Sequence, residues 1–468
     1  MPKTLIGPQL RQLRRERNQT QAEMAKVLGI STAYVNLLEN NQRSLSVKML
    51  MALSSAYGVD WRDLMKDDSS NRLASLRTIT HDPVFGGESP DIQELRAAID
   101  HAPKLVEQFL SLYRSHRAAI EKMMQVGSER MPNDLLRSSP ESFIHDFFRD
   151  HSNYFHDLEK AAEGLRDAEP CDPDDVYYML KTRLMKRHGT KVEIRPTSEM
   201  HDTLRYHDET QGALLLSEAL DHQNRAFQLA HVLCLVEFSD ILIRLTENAS
   251  VASERGKTRC QVELANYFAA AYLMPYKAFY KAAEETKYDV DMIASMFGVS
   301  FEQACHRLTT LQRRGCQGVP FFFLRVDKAG NVTKRFNSTP FTLADHGGAC
   351  PVWNIHTSFR TPGIIIPQFV ELPDGDRYFT ISRTTERPAF SSTTQDRRLA
   401  LALGCELKHA HKIGYAQSFN LQNEQLFSPI GINCHLCPRQ ACSQRAHQPM
   451  LIDLPIDTRR RGNTRYES

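Results

Sequence analysis

The sequence predicts a multidomain chain. An α-helical N-terminal domain is built as a helix-turn-helix, an α+β domain occupies the middle, and an α+β C-terminal domain carries an antiparallel sheet and a four-cysteine site. Three observations carry this prediction. Apolar residues recur only at helical spacing over the first 66 residues, with turn and cap residues placed between the runs. Beyond about residue 319 the pattern changes to short β-rich runs separated by Gly- and Asp-containing turns. Near the end, Cys434, Cys437 and Cys442 fall within nine residues, with Cys405 upstream.

A length of 468 residues suits roughly three domains at about 150 residues each. Hydrophobic and charged fractions of 41% and 24% are those of an ordinary globular chain. The net charge is only +2, so affinity for nucleic acid has to come from local clustering. No run of about eighteen apolar residues is present, so no membrane span is expected. Met1-Pro2-Lys3-Thr4-Leu5 leads into a basic amphipathic helix and lacks the apolar core of a signal peptide, which predicts a cytoplasmic location. In a reducing compartment, ten cysteines in a chain this long do not make a disulfide scaffold, and clustered ones bind metal. The six scattered ones (Cys171, Cys234, Cys260, Cys305, Cys316, Cys350) read as small core residues.

The elements follow in order. Residues 1–66 form the helical domain. Residues 67–137 are a linker and helical connector, polar and Gly/Pro-containing from Asp67 to Pro90, then helical from Asp91 to about Val126 through Leu95, Ile99, Leu105, Phe109 and Leu112. Residues 138–300 open with helices around Phe143–Leu158. Two small strands follow at Lys191–Arg195 and Gly212–Leu216, then strong helices around Asn224–Leu245 and Gln261–Ala283. Tyr288–Phe297 and Ser300–Thr310 read as two helices joined by a turn at Gly298. In residues 301–456, the runs Val319–Val326, Gly363–Val370 and Arg377–Ser382 predict strands, with turns at Lys328–Asn331 and Pro373–Asp376. Residues 457–468 form a basic tail predicted to be disordered.

In the first domain Thr20 caps a second helix running to Leu28, with Glu23 completing a capping box. Gly29 supplies the positive φ of the turn. Ser31 caps a third helix, Thr32–Glu39, with Val35 and Leu38 facing inward, and helices near Ser46–Tyr57 and Trp61–Leu64 close the core. A third helix so placed is a major-groove reader, which makes Ser31, Thr32, Tyr34 and Asn36 candidates for base edges. Gln21 and Arg43 are candidates for phosphates. Ten Lys/Arg against five Asp/Glu in residues 1–66 suit a phosphate backbone. Along its whole length this stretch resembles XRE/Cro-type helix-turn-helix domains. That resemblance implies double-stranded operator DNA as partner and a homodimer or higher homo-oligomer on palindromic sites.

In the middle, Arg225–Leu235 followed by Ala265–Pro275 resembles the ImmA/IrrE metallopeptidase-like family. An HExxH helix works by placing two His on one face and a Glu beside the metal-bound water. Here only His231 remains. Val232 stands in place of the Glu and Leu235 in place of the second His. One His does not hold zinc and no base is left, so no catalytic residue is expected and His231 reads as a buried, hydrogen-bonded histidine. The frame could still bind a ligand in the cleft.

Twenty-eight residues separate Cys405 from Cys434-x2-Cys437-x4-Cys442. Four thiolates suit tetrahedral zinc or an iron–sulfur cluster, with His435 and His447 as alternative ligands. Blocks at Gly318–Asn331, Cys350–Asn354, Leu403–His411 and Pro429–Ala446 then resemble the short-chain fatty acyl-CoA-responsive transcription regulators, a group that includes propionate-catabolism regulators. The resemblance covers almost the whole chain. It implies a short acyl-CoA effector such as propionyl-CoA, control of genes of short-chain fatty acid metabolism, and a [4Fe–4S] cluster at Cys405, Cys434, Cys437 and Cys442, with zinc as the alternative.

A CoA thioester needs cations for its phosphates, an aromatic or Arg face for adenine and an apolar slot for the acyl end. Arg307, Arg313, Arg314 and Arg325 are candidates for the first. Tyr272, Phe321 and Phe323 are candidates for the apolar walls. Two other readings stand beside the regulator: a metal-dependent peptidase acting on a partner regulator, against which the lost HExxH argues, and a redox-sensing iron–sulfur regulator.

Overall fold

The computed structural model describes residues 7–17, 19–40, 42–43, 47–57, 69–80, 82, 85, 90–125, 140–170, 172, 175–247, 254–341, 348–386, 398–449, 452, 454 and 459. The chain divides into two compact units, residues 1–114 and 115–468.

The first unit opens with α1 (Gly7–Glu16), α2 (Gln21–Leu28), α3 (Thr32–Glu39) and α4 (Val47–Tyr57). Local chemistry sets the boundaries. The Thr20 side chain accepts from the Glu23 amide, and the Glu23 carboxylate accepts in return from the Thr20 amide, closing a capping box. Gly29 turns the chain at φ 65°, and Ser31 Oγ accepts from the Tyr34 amide at 3.2 Å. Leu10, Leu13, Met24, Leu28, Val35, Leu38, Leu53 and Tyr57 bury together. The helix predicted at Trp61–Leu64 lies outside the described residues.

Part of the predicted linker is helix. α5 (Ser69–Thr80) packs with α6 (Ile92–His101) and with the part of α7 (Pro103–Gln125) that lies in this unit. Leu73, Leu76 and Ile79 recur every three residues and meet Leu95, Ile99, Val106 and Leu110. Three apolar residues on one face outweigh the polar composition around them.

The second unit begins with α8 (Pro140–Asp150), α9 (His156–Ala168) and α10 (Val176–His188). The strands β1 (Lys191–Arg195), β2 (Arg205–Asp208) and β3 (Ala213–Ser217) form a sheet in the order β1-β3-β2. β1 runs parallel and β2 antiparallel to β3, and α11 (Thr197–Met200) lies between β1 and β2. The two predicted strands are present, but β2 was missed, because only four residues with no apolar alternation make it. Each strong predicted helix is two. α12 (His222–Glu237) and α13 (Ser239–Glu247) are bent by 74° at Phe238. Pro275 separates α14 (Glu254–Leu273) from α15 (Tyr276–Glu285). No single described helix is long and apolar enough to cross a membrane.

α16 (Val290–Phe297) and α17 (Phe301–Leu308) repeat the geometry of α2 and α3: eight-residue helices, a glycine at φ 60°, one residue and a serine cap. The outcome differs. Ala304, Cys305, His306, Arg307 and Leu308 are buried, so α17 is a core helix and not a reading helix.

A six-stranded sheet completes the unit: β4 (Phe322–Val326), β5 (Val332–Asn337), β6 (Ile366–Glu371), β7 (Arg377–Thr385), β8 (Leu399–Glu406) and β9 (Phe427–Pro429), in the order β5-β4-β8-β7-β6-β9. All neighbours are antiparallel except β6 and β9. β8 sits near the centre and is buried along its length except at Glu406. Its side chains alternate between two cores. Leu401, Leu403 and Cys405 join the main core, which runs from Ile144 to Ala416. Ala400 and Ala402 join a second one with Phe322, Phe341, Trp353 and Tyr378. A Cβ at Gly404 would collide with the Phe322 ring, so glycine is required there. Of the predicted basic tail only Arg459 is among the described residues.

Candidate functional site

Three places in the chain hold the residues that the sequence singles out. The first is α3. Ser31, Thr32 and Asn36 are exposed along it, Tyr34 is half-buried against the core, and Arg43 is exposed just beyond. Asn36 Oδ1 accepts from Asn40 Nδ2 at 2.8 Å, which fixes the amide on the outer face. Gln21, expected to meet phosphate, donates instead to Glu39 Oε2 at 2.9 Å. Glu39 is the residue that sequence reading missed. Its side chain is 1% exposed and takes a two-pronged contact from Arg14 at 2.6 and 3.0 Å. Arg11 donates to the Glu39 backbone oxygen and to Asn40 Oδ1. Burial pushes the Glu39 pKa up, but hydrogen bonds from Arg14 and Gln21 and the charges of Arg14 and Arg11 outweigh it and hold it below the usual range. The signal was available: Val35, Leu38 and Glu39 share one face, and an acid in a core register needs cations opposite.

The second is the centre of the middle region. His231 is 2% exposed on α12, as expected, but its Nδ1 makes no hydrogen bond, contrary to the satisfied histidine predicted. Burial, with help from the nearby Arg205 charge, pushes its pKa down to about 3, so it is neutral. With Val232 and Leu235 one and four residues on, no second metal ligand and no general base stand at the motif's positions.

Of the seven residues expected around a CoA thioester, Arg307 and Arg313 meet at Glu159 and Tyr276. Tyr272 and Phe323 are fully buried and Phe321 nearly so, all within the main core. Arg307 is fully buried and grips Glu159 through both terminal nitrogens at 2.6 and 3.0 Å. Burial alone would lower its pKa, but the Glu159 charge and hydrogen bonds raise it, so Arg307 is a core cation held by its own partner. Arg313 stacks over Tyr276, 4.2 Å from the ring centroid, and pairs with Glu163 at 2.6 Å. Arg325 pairs with Glu302 at 2.7 Å and donates to Thr333. Arg314 alone of the four is exposed. The arginines near this join mostly answer acids that approach from distant sequence, which spacing does not reveal.

The third place is the thiol site, and here one ligand changes. Cys434, Cys437 and Cys442 line a single small cavity together with Cys350, Gly431, Asn433, Arg439 and Arg445. Cys405 is not among the lining residues. It points from β8 into the main core, away from the sheet face that carries Cys350. Burial pushes the Cys405 thiol far up. Cys350, rather than Cys405, therefore shares this cavity with the three clustered cysteines. The strand period decides this, since one residue along a strand switches the face. The Cys350 thiol is pushed up by burial first and by Cys434 and Cys437 next, while the amides of Gly431 and Val352 pull the other way. Gly431 donates to Cys350 Sγ at 3.4 Å, and a Cβ on it would lie 2.6 Å from Cys437 Sγ. The backbone thus makes room for sulfur. Cysteine thiols are the donors that zinc and iron–sulfur centres use, and the residue types lining this cavity suit such a group. Among the described residues no three His, Cys, Asp or Glu side chains already close on a common metal position. The alternative ligands His435 and His447 stack on each other with centroids 4.3 Å apart.

Comparison with known proteins follows the same division of the chain. Residues 10–64 match a family described as helix-turn-helix, and residues 185–309 match the IrrE N-terminal-like domain. Residues 310–466 match the short-chain fatty acyl coenzyme A regulator C-terminal domain. Over 467 residues, 99% of both chains, the sequence is 38% identical to a propionyl-CoA carboxylase regulator of Cereibacter sphaeroides. It is 34% identical to the transcriptional regulator RamB of Mycobacterium tuberculosis over 98% of both chains, and 34% identical to PrpR of the same organism over 100% of this chain and 96% of that one. A solved Mycobacterium tuberculosis transcriptional regulator superposes with a TM-score of 0.67 at 36% identity, covering 71% of this chain and all of that one.

Proposed function

Because this chain belongs to the short-chain fatty acyl coenzyme A regulator family, we propose that it couples the level of a propionyl-CoA-like thioester to transcription. It is a helix-turn-helix transcription regulator of short-chain acyl-CoA metabolism. The observation that carries the reading is the match to regulators over the full chain, in one domain order, together with an α3 whose polar face stays exposed. Loss of the HExxH pair leaves the middle region as frame, and the regulator acts by binding, without catalysis of its own.

In this reading Ser31, Thr32, Tyr34 and Asn36 face base edges, Arg43 lies at the phosphate backbone, and two copies present two readers to a palindromic site in the cytoplasm. Acyl-CoA binds one arrangement of the chain better than another and shifts the population towards it. Cys350, Cys434, Cys437 and Cys442 would hold a [4Fe–4S] cluster, zinc being the alternative. Such a group supplies a rigid cross-link and, for iron, a redox-sensitive centre. The chain's own contribution there is to bring Cys350 beside the Cys434–Cys442 loop and to leave Gly431 bare.

The test is operator binding. Full-length protein is titrated onto its flanking promoter with and without acetyl-, propionyl- and butyryl-CoA. A change of several-fold in affinity with one thioester supports the reading, and identical curves for all of them overturn it.

A further inference from the structure

Two arginines line the thiol cavity, and among the described residues neither meets a carboxylate. Arg439 lines it and donates from Nε to the Ile430 carbonyl at 3.2 Å and from a terminal nitrogen to the Glu371 backbone carbonyl at 2.7 Å. Arg445 lines it too and is only 4% exposed. It donates to the backbone carbonyls of Cys434 at 3.4 Å and of Arg439, and its buried Nε makes no hydrogen bond. Elsewhere in this unit the enclosed arginines Arg183 and Arg307 hold carboxylates. A buried guanidinium facing only carbonyl dipoles keeps a full charge without compensation, an expensive state in a low-dielectric interior. The groups that share its cavity are four thiols.

We propose that Arg439 and Arg445 are the counter-ions of the metal–thiolate centre. The inference rests on the four-thiol reading above and assigns its charge balance. A doubly charged metal ion held by four thiolates carries two net negative charges, as does a [4Fe–4S] cluster whose core is in its doubly positive state. Two guanidinium groups cancel them. Arg445, with its open Nε, is the closer fit to a partner that arrives only when the thiols have lost their protons. Metal uptake deprotonates thiols, so a positive wall lowers the free energy of the loaded state more than that of the empty one. Arg439 and Arg445 act through the sulfurs and are positioning residues, not ligands.

The test uses the full-length chain, stripped of metal and titrated with Co²⁺ alone under anaerobic conditions, reading the thiolate-to-cobalt charge-transfer absorption. Arg445→Gln and Arg439→Gln are each expected to weaken Co²⁺ binding by roughly 10–100-fold, the usual effect of losing an outer partner of a metal site. Arg445→Lys keeps the charge and is expected to stay within a few-fold of the native protein. Thermal melting of each variant checks that the fold survives. Gln variants that bind Co²⁺ as the native chain does overturn the proposal, as does Arg445→Lys behaving like Arg445→Gln. A native chain that takes up no Co²⁺ overturns this inference, and Cys437→Ser that binds it unchanged overturns the four-thiol reading as well.

Discussion

At the scale of single residues, the thiol site turns on one exchange. Cys405→Ala is expected to leave metal uptake intact, whereas Cys350→Ala abolishes it; iron and zinc content of the purified variants checks this. Gly431→Ala places a methyl 2.6 Å from Cys437 Sγ and is expected to lower uptake as well. The three clustered cysteines were legible because their spacing is local. The cysteine that shares their cavity was not, because Cys350 lies eighty-four residues before Cys434 and only the fold brings it near. The same limit explains the arginines. Arg307 looked like a phosphate ligand in isolation, and Glu159, its partner 148 residues away, was invisible to spacing. Arg307→Ala leaves that carboxylate buried with only the Tyr267 hydroxyl and the more distant Arg313 to answer it, so it is expected to destabilise the second unit by about 3 kcal/mol in denaturant unfolding.

At the scale of elements, α2 and α3 were fully readable. Thr20, Glu23, Gly29 and Ser31 each satisfy a backbone demand within a few residues, and such demands are written in sequence. Gly29→Ala meets no neighbour but keeps φ 65°, so it is expected to cost about 1 kcal/mol of stability through strain alone. α16 and α17 show where the local code stops. They use the same turn and the same cap, yet their burial gives α17 another role, and no local residue announces it. α5 shows the reverse, a helix hidden in polar sequence that its partners α6 and α7 reveal. The clamp on α3 has a pH signature. Glu39 titrates lower in the folded state than its unfolded value of about 4.3, so its contribution is complete above that pH and is lost as pH falls through the lowered folded value. Melting of the native protein is expected to fall steeply in that acid window, and Glu39→Gln is expected to flatten the dependence while lowering stability at neutral pH; circular dichroism against pH reads both.

At the scale of the whole molecule, domain order was legible and the depth of fusion between domains was not. Family matches divide the chain at residues 309 and 310, but the main core runs on from Ile144 to Ala416 and includes Phe321, Phe323, Phe379 and Leu403. Residues 115–309 expressed alone would expose the apolar helix surface that this sheet covers, and we expect this fragment to be insoluble or to lose cooperative melting, whereas residues 115–468 melt as one transition. β8 then acquires a further meaning. A strand whose alternate side chains seal two separate chambers behaves as a bulkhead. Gly404 lies against the Phe322 ring with no room for a side chain, so a bulkier residue there is expected to disturb the packing on both of its faces at once.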